Sequence, residues 1–557
     1  MLVAEVVGRA VVAAGVDHVF GVVGSGNFHV TNAMVAAGAR FVAARHEGGA
    51  ATMADAYARM SGTVAALTVH QGCGLTNAVT GIAEAAKSRT PLVVLAAEAD
   101  EKRSNFAVDQ DAVARAVGAV PARITSPGTA VAEAVAAVAT ALHTRRTVLL
   151  NLPLSVQGAV APDGTGSPSL PLVPLLPPVP ALPVPSAEDV ARLLAALGRS
   201  RRPVFVAGRG ARSPAARDSL RRLAGRAGAL LATSAVARGL FAGDEWSLDV
   251  SGGFASPTAA DLIGGADLVV GWGCALNMWT TRHGRLVADD AVVVQVDDTP
   301  DALGAHRELA FGVLGDVRAT ADAVLAALPD PLRDNEDDAR YRTADVRRRI
   351  ATSVRWRDVP FADRSTGDRV DPRTLTAALD DLLPPERVVA VDSGNFMGYP
   401  AMFLSVPDEL GFCFTQAFQS VGLGLATAVG AALAQPHRLA VAALGDGGAL
   451  MGAAELDTVR RLGLAMVLVV YDDSAYGAEV HHFGPGGHDL ATVVFPETDI
   501  AAVARGYGLE AVTVRGVGDL DAVGAWLRGP RATSLLVDAK VVADEPSWWL
   551  EEAFRGH

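Results

Sequence analysis

Short unbroken apolar runs recur along this chain, each followed by a longer stretch in which apolar and small residues return at helical spacing. The first group lies at residues 19–23, 65–69, 92–96 and 148–152, with alanine-rich helices between the runs. Continuous runs, rather than alternating ones, mark strands covered on both faces, as in parallel sheets. The pattern returns at 204–207, 268–271 and 292–296, and again at 388–391, 439–444, 466–471 and 534–537. Strand alternating with helix in three successive groups predicts an α/β protein: three tandem α/β domains with mainly parallel sheets. The opening stretch, MLVAEVVGRAVVAAGVDHVFGV, reads as an amphipathic helix running into a strand, not as a leader, because Glu5, Arg9 and Asp17 interrupt it.

Punctuation sets the boundaries. The run SPSLPLVPLLPPVPALPVP, residues 167–185, supplies few backbone donors and reads as an extended linker. The expected division is a first domain at 1–165, the linker at 166–187, a central domain at 188–335 and an arginine-rich linker or exposed helix at 336–370. A third domain follows at 371–545, opening on a capped helix (DPRTLTAALDDLL), and a docking tail occupies 546–557. A chain of 557 residues is long enough for three cores. The net charge of -13, with 61 acidic against 48 basic residues and no basic block, argues against nucleic acid as a partner. Three cysteines far apart in the chain fit a reducing cytoplasm, and no apolar stretch is long enough to span a bilayer.

Candidate chemistry begins at LAVAALGDGGALMGAAELDTVRRLGLAMVLVVYDDSAYGAE, residues 439–479. A buried strand ends at Leu444, and Gly445-Asp446-Gly447 turns sharply into a helix. The 24 residues between Gly447 and Asp472 suffice for that helix and a return strand. Asp472-Asp473 is therefore expected beside Asp446, at the carboxyl end of the sheet, where open α/β sheets bind ligands. Carboxylates plus a loop carbonyl form a hard oxygen set suited to Mg²⁺, and the glycines allow the backbone to approach phosphate. A Gly-Asp-Gly by itself is only a turn. A second segment, FVAARHEGGAATMADAYARMSG at 41–62, places Glu47 where a strand tip becomes a helix; alone, it reads as an acid favoured by the helix dipole.

Together these segments resemble thiamine diphosphate (ThDP) enzymes of the acetolactate synthase, pyruvate decarboxylase and benzoylformate decarboxylase superfamily. The resemblance implies a pyrimidine-binding first domain, a central domain and a diphosphate-binding third domain, with ThDP and Mg²⁺ as cofactors. It implies Asp446, Asp473 and the carbonyl of Ala475 as metal ligands, within a cofactor loop that includes Gly445, Gly447, Gly448, Tyr476 and Gly477. Glu47 is implied to hydrogen-bond the aminopyrimidine N1′. VHQGCGLTNAVTGIAEAAKSRTPLVVLAAE (69–98) brings Gly72 and Asn77, and VDSGNFMG (391–398) brings Gly394, Asn395 and Phe396. Val421 stands in the place of the hydrophobic wedge that bends the cofactor, though it also reads as a core valine. The departure is Asp472, where the family usually has Asn; the expectation is a site one charge more negative, with cofactor affinity depending more steeply on free Mg²⁺. The family's cofactor bridges two subunits, which implies a homodimer at least and a homotetramer by analogy.

The family acts on small 2-oxo acids: CO₂ leaves to give an enamine, which is protonated to an aldehyde or attacks a second carbonyl. His70 is similar in position to a proton-relay histidine, and Ser25 to a serine near the substrate carboxylate. Gln110 and Glu479 stand near positions catalytic in other branches, and His481 and His482 follow on a possible lid. Each also reads as an ordinary turn, strand-end or surface residue. Gly273-Cys274-Ala275-Leu276 lacks the arginine of flavin-binding synthases and Gly208-Arg209-Gly210 is an incomplete dinucleotide pattern, so FAD is not expected. The leading expectation is a ThDP- and Mg²⁺-dependent 2-oxo-acid decarboxylase or carboligase. The alternatives are an acetolactate synthase-like carboligase without FAD, and a non-catalytic relative.

Overall fold

The computed structural model describes residues 1–162, 176–329 and 340–550. Three six-stranded sheets follow one another along the chain, and the strand pairs within them are parallel. The first runs, edge to edge, Arg40–Ala43, His18–Gly21, Ala65–Val69, Leu92–Glu98, Thr147–Pro153, Val120–Arg123. The third repeats that order with Phe412–Phe414, Arg387–Val391, Leu439–Gly445, Val467–Asp472, Leu535–Lys540, Glu510–Val514. The central sheet differs: Phe311–Leu314, Val292–Asp297, Leu268–Trp272, Pro203–Ala207, Leu230–Thr233, Ser247–Val250. Its strand order reverses between Pro203–Ala207 and Leu268–Trp272, which is where Gly208, Gly210 and Gly273 lie. A Cβ on Gly210 would come within 2.8 Å of the Gly273 Cα, so close backbone packing alone accounts for these glycines.

The first and third domains share a core. Helix Glu47–Ser61 packs along helix Gly424–Ala434, and one apolar cluster joins Met53, Ala56 and Met60 to Val429, Ala432 and Leu433. Small residues on both helices permit the close approach; at Gly430 a Cβ would sit 2.8 Å from the Ala56 Cβ. A buried ion network backs this contact: Arg59 Nη2 pairs with Asp55 (2.6 Å) and Glu84 (2.7 Å), and Arg59 Nη1 donates to the Phe414 carbonyl (2.9 Å).

Within the stretch expected as a second linker, helix Ala344–Ser353 forms and buries Val346 and Ile350 against the central domain. The first ten residues of the proline-rich linker, 166–175, and the tail beyond residue 550 lie outside the described residues. The described part of the tail docks: Ser547 N and Trp549 Nε1 donate to the side-chain and main-chain oxygens of Asn395 (2.9 and 3.0 Å). Among the described residues no helix is long and apolar enough to cross a membrane.

Candidate cofactor and metal site

Strands Leu439–Gly445 and Val467–Asp472 are neighbours, with Gly445 opposite Tyr471. Asp446, the first residue of the short helix Asp446–Met451, therefore emerges beside Asp472-Asp473. Burial, then the charges of Asp473 and Asp472, push the Asp446 carboxyl up to about 8. Burial first, with Asp472 adding to it, pushes Asp473 up to about 7. Two carboxyls so crowded resist ionising together, and a dication between them would remove that resistance.

Ser474 takes a left-handed backbone (φ 59°), unusual for a residue with a side chain. Asp472 Oδ1 holds it there, accepting from Ser474 N (2.9 Å) and Oγ (3.1 Å), and the turn presents Ala475 next to Asp473, whose Oδ1 accepts from Ala475 N (3.3 Å). Two carboxylates and a carbonyl suit a hard cation such as Mg²⁺. No group of three or more His, Cys, Asp or Glu side chains able to hold a metal occurs among the described residues, so a softer all-side-chain site has no support.

Asp472, on which the expectation of a more negative metal site rests, is engaged within the fold. It is 1% exposed; Oδ1 is taken up by Ser474 within the turn, and Oδ2 pairs with Lys540 Nζ. Its main-chain oxygen accepts from Arg369 Nη1 (3.2 Å). The extra carboxylate is thus paired with a buried ammonium within the fold, while its charge still reaches Asp446 and Asp473 and raises both.

On the diphosphate side, the Phe396 ring stacks on Tyr471 (5.4 Å between centroids) beneath Gly445, so only its main chain can meet a ligand. Asn395 is fixed by the tail, as above, and Gly394 (φ 140°) needs the freedom of glycine. The Tyr476 ring lies against Gly447, where a Cβ would come within 2.7 Å of it, and Gly477 abuts Asp473. Val421 is 41% exposed and is not a core valine. It stands over the turn, 3.4 Å from where a Gly448 Cβ would be. Asp392, buried and pushed up to about 6 by that burial, holds the loop behind Val421 by accepting from Gly422 N (3.1 Å) and Ser393 N (2.8 Å).

On the first domain, Glu47 is the first residue of helix Glu47–Ser61, capped by His46 Nδ1, which accepts from Gly48 N (3.0 Å). Asn77 Nδ2 donates to Glu47 Oε2 (3.1 Å). A Cβ on Gly74 would lie 3.2 Å from the His70 Cβ and 3.3 Å from Glu47 Oε1, so Glu47 and His70 flank one glycine. The backbone of Gly72 is roofed by Phe106, whose ring also meets the His70 ring edge-on (5.4 Å). Gly26 N donates to His70 Nδ1 (3.1 Å), which makes Nδ1 the acceptor and places the proton of a neutral ring on Nε2. Ser25 is exposed on the same turn, adjacent to Gly26. The structure thus brings Ser25, His70, Glu47, Gly72 and Asn77 together on one edge.

Gln110 is placed elsewhere. It is 2% exposed, and its amide donates to Asn151 Oδ1 (2.7 Å) inside the first domain. Glu479, His481 and His482 are half-buried on helix Gly477–Phe483, next along the chain from the metal turn; burial lowers the His481 pKa, and its Nε2 has no hydrogen-bond partner. Glu455 is a residue that no sequence motif marks. It reaches from the third domain to accept from Arg45 N (3.1 Å) and His46 N (3.0 Å), immediately before Glu47. Its signal was slight: one acid within GAAELDTVRR, on a helix that reads as amphipathic. Within one chain no hydrogen bond or ion pair joins Glu47 or His70 to Asp446 or Asp473 among the described residues; each domain carries half of the constellation.

Comparison with known proteins agrees domain by domain. Residues 1–111 match the thiamine pyrophosphate enzyme N-terminal TPP binding domain, residues 190–324 the central domain, and residues 392–536 the C-terminal TPP binding domain. A sulfoacetaldehyde acetyltransferase of Rhodobacter capsulatus is 26% identical over 91% of this chain and 88% of its own. A putative acetolactate synthase large subunit of Mycobacterium tuberculosis is 28% identical over 86% of each. A probable 2-ketoarginine decarboxylase of Pseudomonas aeruginosa is 28% identical over 91% and 88%. The fold matches the solved Rhodococcus jostii ThDP-dependent 4-hydroxybenzoylformate decarboxylase with a TM-score of 0.80, at 20% identity, over 98% of this chain and 100% of that one. The chain belongs to the thiamine pyrophosphate (thiamine diphosphate) enzyme family. Its relatives include decarboxylases, synthases and acyltransferases.

Proposed function

We propose that this protein is a ThDP- and Mg²⁺-dependent 2-oxo-acid decarboxylase, with ligation of the two-carbon or larger fragment to a second carbonyl as its alternative outcome. The observation that carries the reading is the pairing of a polar edge around Glu47 and His70 with a crowded pair of carboxyls at Asp446 and Asp473. Asp446, Asp473 and the Ala475 carbonyl would hold the cation. The backbone of 394–396 and 445–448 would receive the diphosphate, and Val421 would support the ring system from the third domain. Bound there, ThDP supplies an electron sink for breaking the bond between the carbonyl and carboxylate carbons.

The remaining chemistry falls to side chains of this chain. Glu47 holds a proton at the ring nitrogen of the pyrimidine and is steadied by Asn77. His70, with Nδ1 engaged by Gly26, offers its Nε2 proton toward the substrate and can return one to the carbon that loses CO₂. Ser25 donates to the substrate carboxylate. Phe106 and Val421 exclude water on either side. Gln110 takes a structural role through Asn151 in this reading, and Glu479 remains a candidate at the rim. The resemblance to enzymes whose cofactor bridges two subunits supports a homodimer or a dimer of dimers as the working unit, with the two halves of the constellation supplied by different subunits.

A histidine whose free proton faces the substrate favours protonation, and hence aldehyde release, over acyl transfer. The test is a panel of aliphatic and aromatic 2-oxo acids assayed with ThDP and Mg²⁺. Release of CO₂ with a stoichiometric aldehyde supports the decarboxylase. Acyloin as the main product supports an acetolactate synthase-like ligase, and stoichiometric flavin in the purified protein would contradict the expectation that FAD is absent.

A further inference from the structure

Asp472 stands beside a metal-site residue, yet every oxygen it carries is engaged within the protein. Oδ1 accepts from Ser474 N and Oγ, Oδ2 pairs with Lys540, and the main-chain oxygen accepts from Arg369. Lys540 is 1% exposed and its ammonium is enclosed by oxygen: Asp472 is its nearest partner, with the Thr498 carbonyl at 2.8 Å and Asp538 Oδ2 at 3.1 Å. Strand register fixes the pair, since Asp472 and Lys540 face each other as the last residues of neighbouring strands.

We propose that Lys540 is a positioning residue for the metal site: it holds Asp472 away from the cation, so that Asp472 shapes the 472–475 turn as a neutral amide would, leaving Asp446 and Asp473 as the two carboxylates that meet the dication. The inference rests on the ThDP and Mg²⁺ reading above. Its physical basis is the competition for Asp472. A cation at Asp473 attracts the neighbouring carboxylate strongly at low dielectric. Without the lysine, Asp472 would swing toward the cation and release Ser474 from its left-handed conformation, and Ala475 would lose its aim. An aspartate that cannot be drawn to the metal needs no lysine, so removing its charge should remove the metal site's requirement for Lys540, while Asp538, the other carboxylate beside the ammonium, loses its partner at a cost in stability.

The test is a double-mutant cycle read by cation binding, not by turnover. Mn²⁺ is titrated into protein saturated with ThDP, and free Mn²⁺ is followed by electron paramagnetic resonance. Lys540→Met should weaken Mn²⁺ binding at least about tenfold, and Lys540→Met combined with Asp472→Asn should return it to within about threefold of the wild type. A double variant no tighter than Lys540→Met overturns the proposal, and one weaker still makes Asp472 a ligand in its own right. Wild-type affinity in Lys540→Met also overturns it. Should Lys540→Met fail to fold because it also orphans Asp538, the same cycle is run in an Asp538→Asn background: Mn²⁺ binding restored by Asp472→Asn to within about threefold of that background supports the proposal, and binding no tighter than with Lys540→Met alone overturns it. Wild-type protein that binds neither ThDP nor Mn²⁺ would instead refute the cofactor reading itself.

Discussion

Replacing Glu455 by alanine perturbs the contact that sets Glu47 in place. Glu455 is 3% exposed and crosses from the third domain to the first, where its carboxylate accepts from Arg45 N (3.1 Å) and His46 N (3.0 Å). Its other oxygen accepts from Thr458 Oγ1 (2.6 Å). Alanine leaves two main-chain donors without their acceptor at a part-buried contact. A hydrogen bond to a charged acceptor contributes about 1.5–3 kcal/mol, and such effects are not additive, so about 3 kcal/mol is the reasonable total. In a cooperative unit of 557 residues that corresponds to a fall of about 2.5 °C in melting temperature. Glu455→Gln keeps one acceptor and should recover more than half of the loss. The assay is thermal melting of the cofactor-free protein, paired with titration of ThDP. Because Arg45 and His46 directly precede Glu47, Glu455→Ala should also cut turnover more than Glu455→Gln does. A Glu455→Ala protein that melts within about 1 °C of the wild type and turns over normally would refute the argument.

Other consequences are equally direct. Metal-free protein holds Asp446 near 8 and Asp473 near 7, above their ordinary value of 3.8. Raised carboxyl pKa values favour the folded state most below about 4 and lose that contribution as pH rises through 7 to 8, so Mg²⁺ should raise the melting temperature more at about pH 8.5 than at about pH 6. A Mg²⁺-induced shift that does not depend on pH would contradict this. Glu84→Ala breaks a buried pair with Arg59 and should destabilise the protein by about 3–5 kcal/mol, visible in chemical denaturation. It also removes the acceptor for Phe418 N (2.6 Å), so the loop leading to Val421 should become protease-sensitive. His70→Ala should lower turnover on the best 2-oxo acid at least about tenfold while ThDP affinity stays near the wild-type value; a change within about twofold removes the proton-relay role.

The legible part of the fold was its interior. Strands such as Ala65–Val69, Pro203–Ala207 and Leu268–Trp272 are buried end to end, and their apolar runs announce them. Edge strands were not legible: Val120–Arg123 and Glu510–Val514 are mostly half-exposed, and their residues carry neither a continuous nor an alternating apolar signal. Strand Leu535–Lys540 runs three residues past its expected end because Asp538 and Lys540 neutralise each other inside the core, a compensation that needs Asp472 from another strand. The site divides in the same way. Asp446, Asp473 and Glu47 are candidates that local motifs point to. Glu455, Lys540 and Asp392 act across strands or domains, and their partners lie far away in the chain. Gln110 was read as catalytic on a loose likeness of position, but no local sequence feature tells a buried amide paired with Asn151 from one facing a substrate.

The central claim is that Glu47 activates a ThDP held by Asp446 and Asp473 for attack on a 2-oxo acid. It is tested most directly by comparing wild type with Glu47→Gln, with ThDP binding followed by calorimetry in Mg²⁺ and CO₂ release followed on the best substrate of the panel. ThDP should bind both proteins with affinities within about tenfold, while CO₂ release, dependent on ThDP and Mg²⁺ in the wild type, should fall at least about a hundredfold in the variant. Equal CO₂ release from the two proteins, or release without added ThDP from protein stripped of cofactor, would contradict the account.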